Sequence, residues 1–230
     1  MSLDDLVEGA APVLVLAPHP DDETLGCGLL LAERWARGRP AHVACLTDGA
    51  ASHPGSTCWP GARLAELRRR ELEEAIGRLG GDPARDLTWL GFPDAALHRL
   101  HGPGVDLARA VARLADELAA GTLLSASPAD AHCDHEAGAE AAALVCDRSA
   151  HLRLWHYPIW SRWIAWQAGD EMPGLPLDLS ARRRAKRNAI AAHRSQMGLV
   201  VRDDPDGFAM APAFVERFCE EAEIYMPVRP

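Results

Sequence analysis

Apolar residues along this chain fall into two alternating rhythms. The runs PVLVLAP at 12–18, AHVACLTDG at 41–49, TLLSASP at 122–128 and LRLWHYP at 152–158 are short and largely unbroken by charge. Such runs read as strands covered on both faces, as in a parallel sheet. DLTWLGFPD, at 86–94, reads as a further strand running into a turn. Between the strands, apolar residues recur at helical spacing. The spacing predicts helices over 22–37, stopped by Gly38, and over 61–79, closed by Gly80 and Gly81. It also predicts helices over 105–120, where Val111, Leu114 and Leu118 share a face, and over the Ala-rich 135–150. This alternation predicts an α/β fold: a Rossmann-like open, mostly parallel sheet with helices on both faces. After Pro158 the rhythm breaks. A tryptophan cluster is followed by DEMPGLPLD and a basic helix from 180 to about 196. We read 1–230 as a single domain, with about 159–196 a lid or flanking segment of it.

In open parallel sheets, ligands sit beyond the carboxyl ends of the strands. Four polar segments fall there: 19–23, Thr47-Asp48-Gly49, Phe92-Pro93-Asp94 and ADAHCDHE at 129–136. His19 and Asp22 stand three residues apart across a strand-to-helix turn, so both side chains can reach one point. DAHCDH adds His132, Asp134 and His135 from another strand end. Two imidazoles and a carboxylate with one position open make a catalytic metal site. Alone, Asp21 and Asp22 would serve equally well as caps on a helix dipole. The second cluster on the same rim favours the metal. The His19–Asp21 spacing with a distal His also suits a non-haem Fe(II) oxygenase. The strand–helix alternation speaks against that reading, whose examples with this spacing are antiparallel β-sandwiches.

Composition narrows the partners. The 230 residues are 48% hydrophobic and 25% charged, ordinary for a water-soluble globular protein. Asp and Glu (33) outnumber Lys and Arg (24), giving a net charge of −9. Only 182–187 is densely basic, so a nucleic-acid partner is not expected. The six cysteines contain no C-x-x-C pair, which argues for reduced thiols over a disulfide framework or structural zinc knuckle. The acidic start, MSLDDLVEG, is unlike a signal peptide, and no apolar run has the ~18 residues of a membrane span. A cytoplasmic protein without an integral membrane segment is expected. Homo-oligomerisation stays open.

The motifs PHPDDETLGCG, TDG, the helix bearing Arg68, Glu71 and Ala75, LGFPD and DAHCDHE occur in one order. In that order the chain resembles the LmbE-like (PIG-L) deacetylase family from about residue 12 to 147, and more weakly at KRNAIAAHRSQ. The resemblance implies a Rossmann-type fold and zinc-dependent hydrolysis of N-acyl groups, mostly N-acetyl groups on amino sugars. Amides of thiol conjugates and antibiotic sugars are alternative substrates, and a non-catalytic sugar-binding member is a further alternative. It implies His19, Asp22 and His135 as ligands of Zn2+, or of another divalent ion. Asp21 is then the general base and His132 the electrophilic or general-acid histidine, with Asp134 orienting it in a charged form. The partner implied is a small N-acylated sugar or conjugate.

Other positions carry weaker expectations. Arg68 matches a family arginine near substrate hydroxyls or phosphate, and equally an exposed charge. Asp48 either orients a ligand or caps a turn. His193 resembles a tail motif that points into the site. Trp59 is a candidate substrate contact, and Glu23 either complements the helix dipole or backs a zinc-bound His. Trp155, Trp160, Trp163 and Trp166 form either core or a subunit interface, or else a lid whose rings stack on a sugar or an aromatic acyl substrate. Two departures from the family stand out. Cys133 replaces a proline of several members, and Asp130 occupies the place of a tyrosine that helps polarise the carbonyl in some.

Overall fold

A computed structural model describes residues 2–99 and 106–228. Five strands run parallel: β1 (Val13–Ala17), β2 (Ala41–Thr47), β3 (Leu87–Phe92), β4 (Thr122–Ala126) and β5 (Arg153–Tyr157). Two more, β6 (Leu175–Leu177) and β7 (Glu223–Pro227), join antiparallel, and the sheet order is β3-β2-β1-β4-β5-β7-β6. β1 shows why its sequence lacks alternation. Val13, Val15 and Ala17 enter one core while Leu14 and Leu16 enter the other, so every residue is buried.

The helices are α1 (Leu3–Glu8), α2 (Asp22–Ala36), α3 (Gly61–Leu79), α4 (Pro83–Asp86) and α5 (Asp106–Glu117). They continue with α6 (Cys133–Asp147), α7 (Trp160–Ala168), α8 (Arg183–Ile190) and α9 (Pro212–Glu220). The expected helix start at 105 lies outside the described residues. α2, α3 and α8 cover one face of the sheet, and α5 and α6 the other. The first strand order reversal lies between β1 and β4, where the Rossmann pattern opens a crevice. His19 follows β1 and His132 and His135 follow β4, so neighbouring strands deliver both halves of the expected site. The β-sandwich of the iron-oxygenase reading is absent among the described residues.

The C-terminal region departs from its expected form. In place of one helix over 180–196, a 3₁₀ turn (Ser180–Arg182) leads into α8, and a second 3₁₀ turn spans Arg194–Met197. The break has a cause in side chains. Glu71 of α3 accepts hydrogen bonds from the Ser195 N–H (2.9 Å) and hydroxyl (2.6 Å), which captures a backbone donor that a continuing helix would use. α9 and β7 carry no strong pattern in sequence, yet β7 anchors the core. Buried Glu223 accepts from the N–H groups of Leu29 (2.7 Å) and Leu30 (3.1 Å) in α2. Lys186 of α8 donates to Glu223 (2.6 Å) and to the Leu25 carbonyl (2.7 Å). Two glycines permit this approach to α2. A Cβ at Gly26 would collide with the Tyr157 ring, and one at Gly28 would lie 2.9 Å from Lys186 Cγ. No helix among the described residues is long and apolar enough to cross a membrane.

Candidate metal centre and active site

Asp22 opens α2, and its side chain turns back over the end of β1. One oxygen, Oδ2, lies 3.2 Å from His19 Nδ1 and 3.3 Å from His135 Nε2, and accepts from the His19 backbone N–H at 2.9 Å. His135 Nε2 is buried and makes no hydrogen bond. The opposite nitrogens of both rings face carboxylates. His135 Nδ1 meets Asp130 Oδ2 at 2.8 Å, and His19 Nε2 meets Asp94 Oδ1 at 3.2 Å and Asp134 Oδ2 at 3.3 Å. A carboxylate behind an imidazole fixes its proton on the far nitrogen and leaves the near one as a donor to metal. Zinc–nitrogen and zinc–oxygen bonds of 2.0–2.1 Å in a tetrahedron imply ligand–ligand separations of about 3.3 Å. The observed separations across Asp22 match that. His19, Asp22 and His135 are therefore candidate ligands, and a nitrogen of His132 also lies within 4.8 Å of nitrogens of both imidazoles.

The electrostatics agree with a cation's place. Burial pulls the His19 imidazole down, but Asp134, Asp22 and Asp94 outweigh it and hold its pKa well above the usual value. His135 behaves likewise, with burial opposed by Asp22 and Asp130, and is raised to about 9. Burial pushes the Asp22 carboxyl up, yet the two imidazoles bring it well below the carboxylate range. Positive charge is stabilised here, and a metal would replace the two imidazole protons.

Asp21 faces the same space from the other side. Its φ of 152° and ψ of −25° lie outside the regions a side chain favours, a strain borne by its surroundings. Its carbonyl accepts from the Thr24 (3.1 Å) and Leu25 (2.9 Å) N–H groups, and its own N–H donates to Glu23 Oε2 (3.0 Å). Glu23 is thus a brace for the turn; its other oxygen takes the Thr24 hydroxyl. Burial, opposed by Arg68 and reinforced by Asp22, pushes the Asp21 carboxyl up to about 6. Arg68 is 3% exposed and so is not the solvent charge that its Arg-rich stretch suggests. Its guanidinium donates to Asp21 Oδ2 (3.1 Å), Pro20 O (3.0 Å) and Gly49 O (2.9 Å), binding the β1 and β2 loops to α3.

His132 caps α6 by accepting the Asp134 N–H at its Nδ1 (3.2 Å). A backbone N–H only donates, so the ring proton belongs on Nε2. Burial and the positive charges of His19 and His135 lower the His132 pKa, so it rests neutral, not cationic as the sequence suggested. The expectation for Asp134 also changes. Its carboxylate accepts from the Ala95 (2.7 Å) and Leu97 (2.9 Å) N–H groups and faces His19, not the His132 ring. The cap explains this: the helix start that brings the Asp134 N–H to His132 directs its side chain towards the loop after β3.

The weaker candidates separate. Asp48 caps loops, accepting from the N–H groups of Ala50 (3.0 Å) and Asp94 (3.2 Å). His193 is buried, with Nε2 3.5 Å from Glu23 Oε1, beneath the Asp21 turn. Trp59 stacks under Arg63, at 4.1 Å, and does not line the cavity. Trp155 is core. Trp163 and Trp166 pack on Phe214 and Phe218. Two site residues went unassigned in sequence, Asp94 and Asp130. Both had a visible signal: Asp94 ends LGFPD on the rim, and Asp130 stands out against the family tyrosine.

A cavity of about 480 Å³ opens over these groups. His19, Asp21, Asp22, Asp94 and His132 lie among its lining residues. Trp160, Phe208, Met210 and Phe214 add an apolar wall, with the Trp160 ring 5.7 Å from Phe208 and 5.6 Å from Phe214.

Residues 14–146, more than half the chain and including every group placed around Asp22, match the family model described as GlcNAc-PI de-N-acetylase, PIG-L. The chain belongs to the PIG-L family. Among PIG-L relatives, the 2'-N-acetylparomamine deacetylase of Streptomyces fradiae is 38% identical over 137 residues, covering 53% of this chain and 47% of the relative. A probable N-acetyl-alpha-D-glucosaminyl L-malate deacetylase 2 of Bacillus anthracis is 32% identical over 134 residues, covering 57% of each. The chain thus spans about half the length of the curated relatives it matches. A conserved protein of Thermus thermophilus superposes with a TM-score of 0.67 at 27% identity, covering 96% of this chain and 97% of its own. The N,N'-diacetylchitobiose deacetylase of Pyrococcus horikoshii shares the fold, with a TM-score of 0.71 at 18% identity over 99% of this chain and 87% of its own.

Proposed function

We propose that this protein is a zinc-dependent amide hydrolase that removes an N-acyl group, in the simplest case acetyl, from an amino sugar or sugar-bearing small molecule. The observation that carries the reading is Asp22 Oδ2 held 3.2 and 3.3 Å from two carboxylate-backed imidazoles, one through a buried nitrogen that makes no hydrogen bond. The names of the curated relatives, deacetylases of N-acetylated sugar compounds, support the substrate class. We read the chain as one domain. Its 159–196 segment is a flank that supplies Trp160 to the cavity wall.

His19, Asp22 and His135 would hold the metal, which when bound polarises a carbonyl and lowers the pKa of water to about 7. Asp21 accepts the proton of the attacking water; with a pKa of about 6 it is ionised at neutral pH and still a competent base. Arg68 keeps that carboxylate in place and ionised. Neutral His132 offers its Nε2–H to the carbonyl oxygen as negative charge builds there. An amine leaves poorly unless protonated. Because His132 rests neutral, the proton collected by Asp21 serves the leaving nitrogen. Asp94, Asp130 and Asp134 hold the two imidazoles. The aromatic wall covers the apolar face of a sugar ring.

The test measures acetate and free-amine release across N-acetylated amino sugars, glycolipid head groups and thiol conjugates. Release from a sugar amide, lost on chelation and restored by Zn2+, is expected. Activity that survives exhaustive chelation overturns the metal assignment. Cleavage of thiol-conjugate amides alone overturns the substrate class.

A further inference from the structure

The site above uses only one oxygen of Asp134 for His19. The other, Oδ1, accepts from the Leu97 N–H and lies 3.8 Å from the Cys133 thiol, which donates to it. His98 stands beside them, exposed, on the 3₁₀ turn Leu97–Arg99, whose first residue is buried. A ring nitrogen of His98, the Cys133 sulfur and an Asp134 oxygen all lie within 4.8 Å of one another. We propose that His98, Cys133 and Asp134 form a second divalent-cation site, selective for zinc-like ions, that shares Asp134 with the first centre.

Three arguments carry this. The donor set, thiolate, imidazole and carboxylate, is the one zinc selects, and magnesium and calcium do not. Zn–S of 2.3 Å and Zn–O of about 2.0 Å imply a tetrahedral S···O separation of about 3.5 Å, close to the 3.8 Å observed. The metal takes the place of the thiol proton, which passes to solvent; no oxidant or reductant is involved. His98 is exposed, with Nε2 accepting from Arg99 Nε at 3.4 Å, and Cys133 is half-buried, so a metal would take the place of that surface contact or use the other ring nitrogen, and water can fill the fourth position.

The shared carboxylate gives the second site a consequence, which rests on the proposed hydrolase function. A cation on Oδ1 draws charge from Asp134, weakening its hold on His19 Nε2. Disturbing such an outer partner costs about 10–100-fold in metal affinity or activity. Excess Zn2+ should therefore inhibit.

Binding is tested apart from activity. Protein loaded with one equivalent of Co2+ is titrated with more, and the near-ultraviolet spectrum is read for a thiolate-to-cobalt charge-transfer band. The band should grow with the second equivalent in the natural protein. It should be absent in Cys133→Ala and weakened in His98→Ala, both of which keep the first equivalent. No band in the natural protein, or an equal band in Cys133→Ala, overturns the site. In turnover assays, excess Zn2+ should slow the natural protein roughly tenfold and leave Cys133→Ala near its unperturbed rate. Equal inhibition of both overturns the coupling through Asp134. Absence of any hydrolase activity would count against the proposed function, while the cobalt band would still decide the site.

Discussion

Asp130→Asn keeps shape and removes one charge, and its consequences follow from the contacts. In the natural protein Oδ2 takes His135 Nδ1–H (2.8 Å) and the Ile159 N–H (3.1 Å), while Oδ1 takes the Ser161 N–H (2.9 Å) and its hydroxyl. Every neighbour but the hydroxyl is an obligate donor, since the metal requires the His135 proton on Nδ1. An asparagine has one acceptor oxygen and one NH2. Turned with oxygen to His135, it sets its NH2 against the Ser161 N–H. Turned the other way, it sets NH2 against His135 Nδ1 and drives the ring proton to Nε2, the atom that faces Asp22. Losing a charge-assisted hydrogen bond costs about 1.5–3 kcal/mol. Loss of a carboxylate behind a metal-bound imidazole weakens metal binding about 10–100-fold. The two ranges agree, since 1.4 kcal/mol is about a factor of ten. The assay is competition for Zn2+ against a chromophoric chelator, with thermal unfolding of metal-free protein measured in parallel. A Zn2+ affinity within about twofold of the natural protein, well short of the tenfold loss expected, would refute the reasoning, because His135 would then need no carboxylate to stay a ligand.

Asp21→Asn should lower kcat by roughly 10²–10⁴ while retaining metal, and His19→Ala should lose metal; equal metal loss in both would reverse the assigned roles. Asp21 must be ionised to accept a proton, so kcat/KM should rise with pH through a limb no higher than about 6, since a bound cation only lowers it. Arg68→Met removes the group opposing burial and should move that limb to higher pH; an unmoved limb would detach Arg68 from the base. Lys186→Met leaves the buried Glu223 carboxylate without its ammonium partner and should destabilise by about 3–5 kcal/mol, whereas Lys186→Met with Glu223→Leu should recover part of that loss. Chemical denaturation decides between them, and equal destabilisation by the single and double changes would show that the pair itself is not what matters.

The sequence alone determined the parallel sheet and the identity of the chemical groups at its rim. Two-faced burial leaves its mark locally: β1 must be apolar at every position because both its faces meet helices. The cluster of candidate ligands was legible for a similar reason. His19 and Asp22 are bound to one turn and His132 and His135 to another, so short-range spacing sets most of their geometry. Beyond β5 the chain was legible only in part: α8 falls inside the basic helix expected over 180–196, but its early end, β6, α9 and β7 were not foreseen. α8 ends and β7 pairs because Glu71, Glu223 and Lys186 find partners more than a hundred residues away or, for the last two, on each other. No local periodicity encodes such a contact. The same holds for roles within the site. Which imidazole a carboxylate supports depends on where its loop arrives. Asp134 therefore turned from His132 to His19, Asp130 became the support of His135, and Arg68 became the partner of Asp21. Local spacing chose the groups, and long-range packing decided which group acts on which.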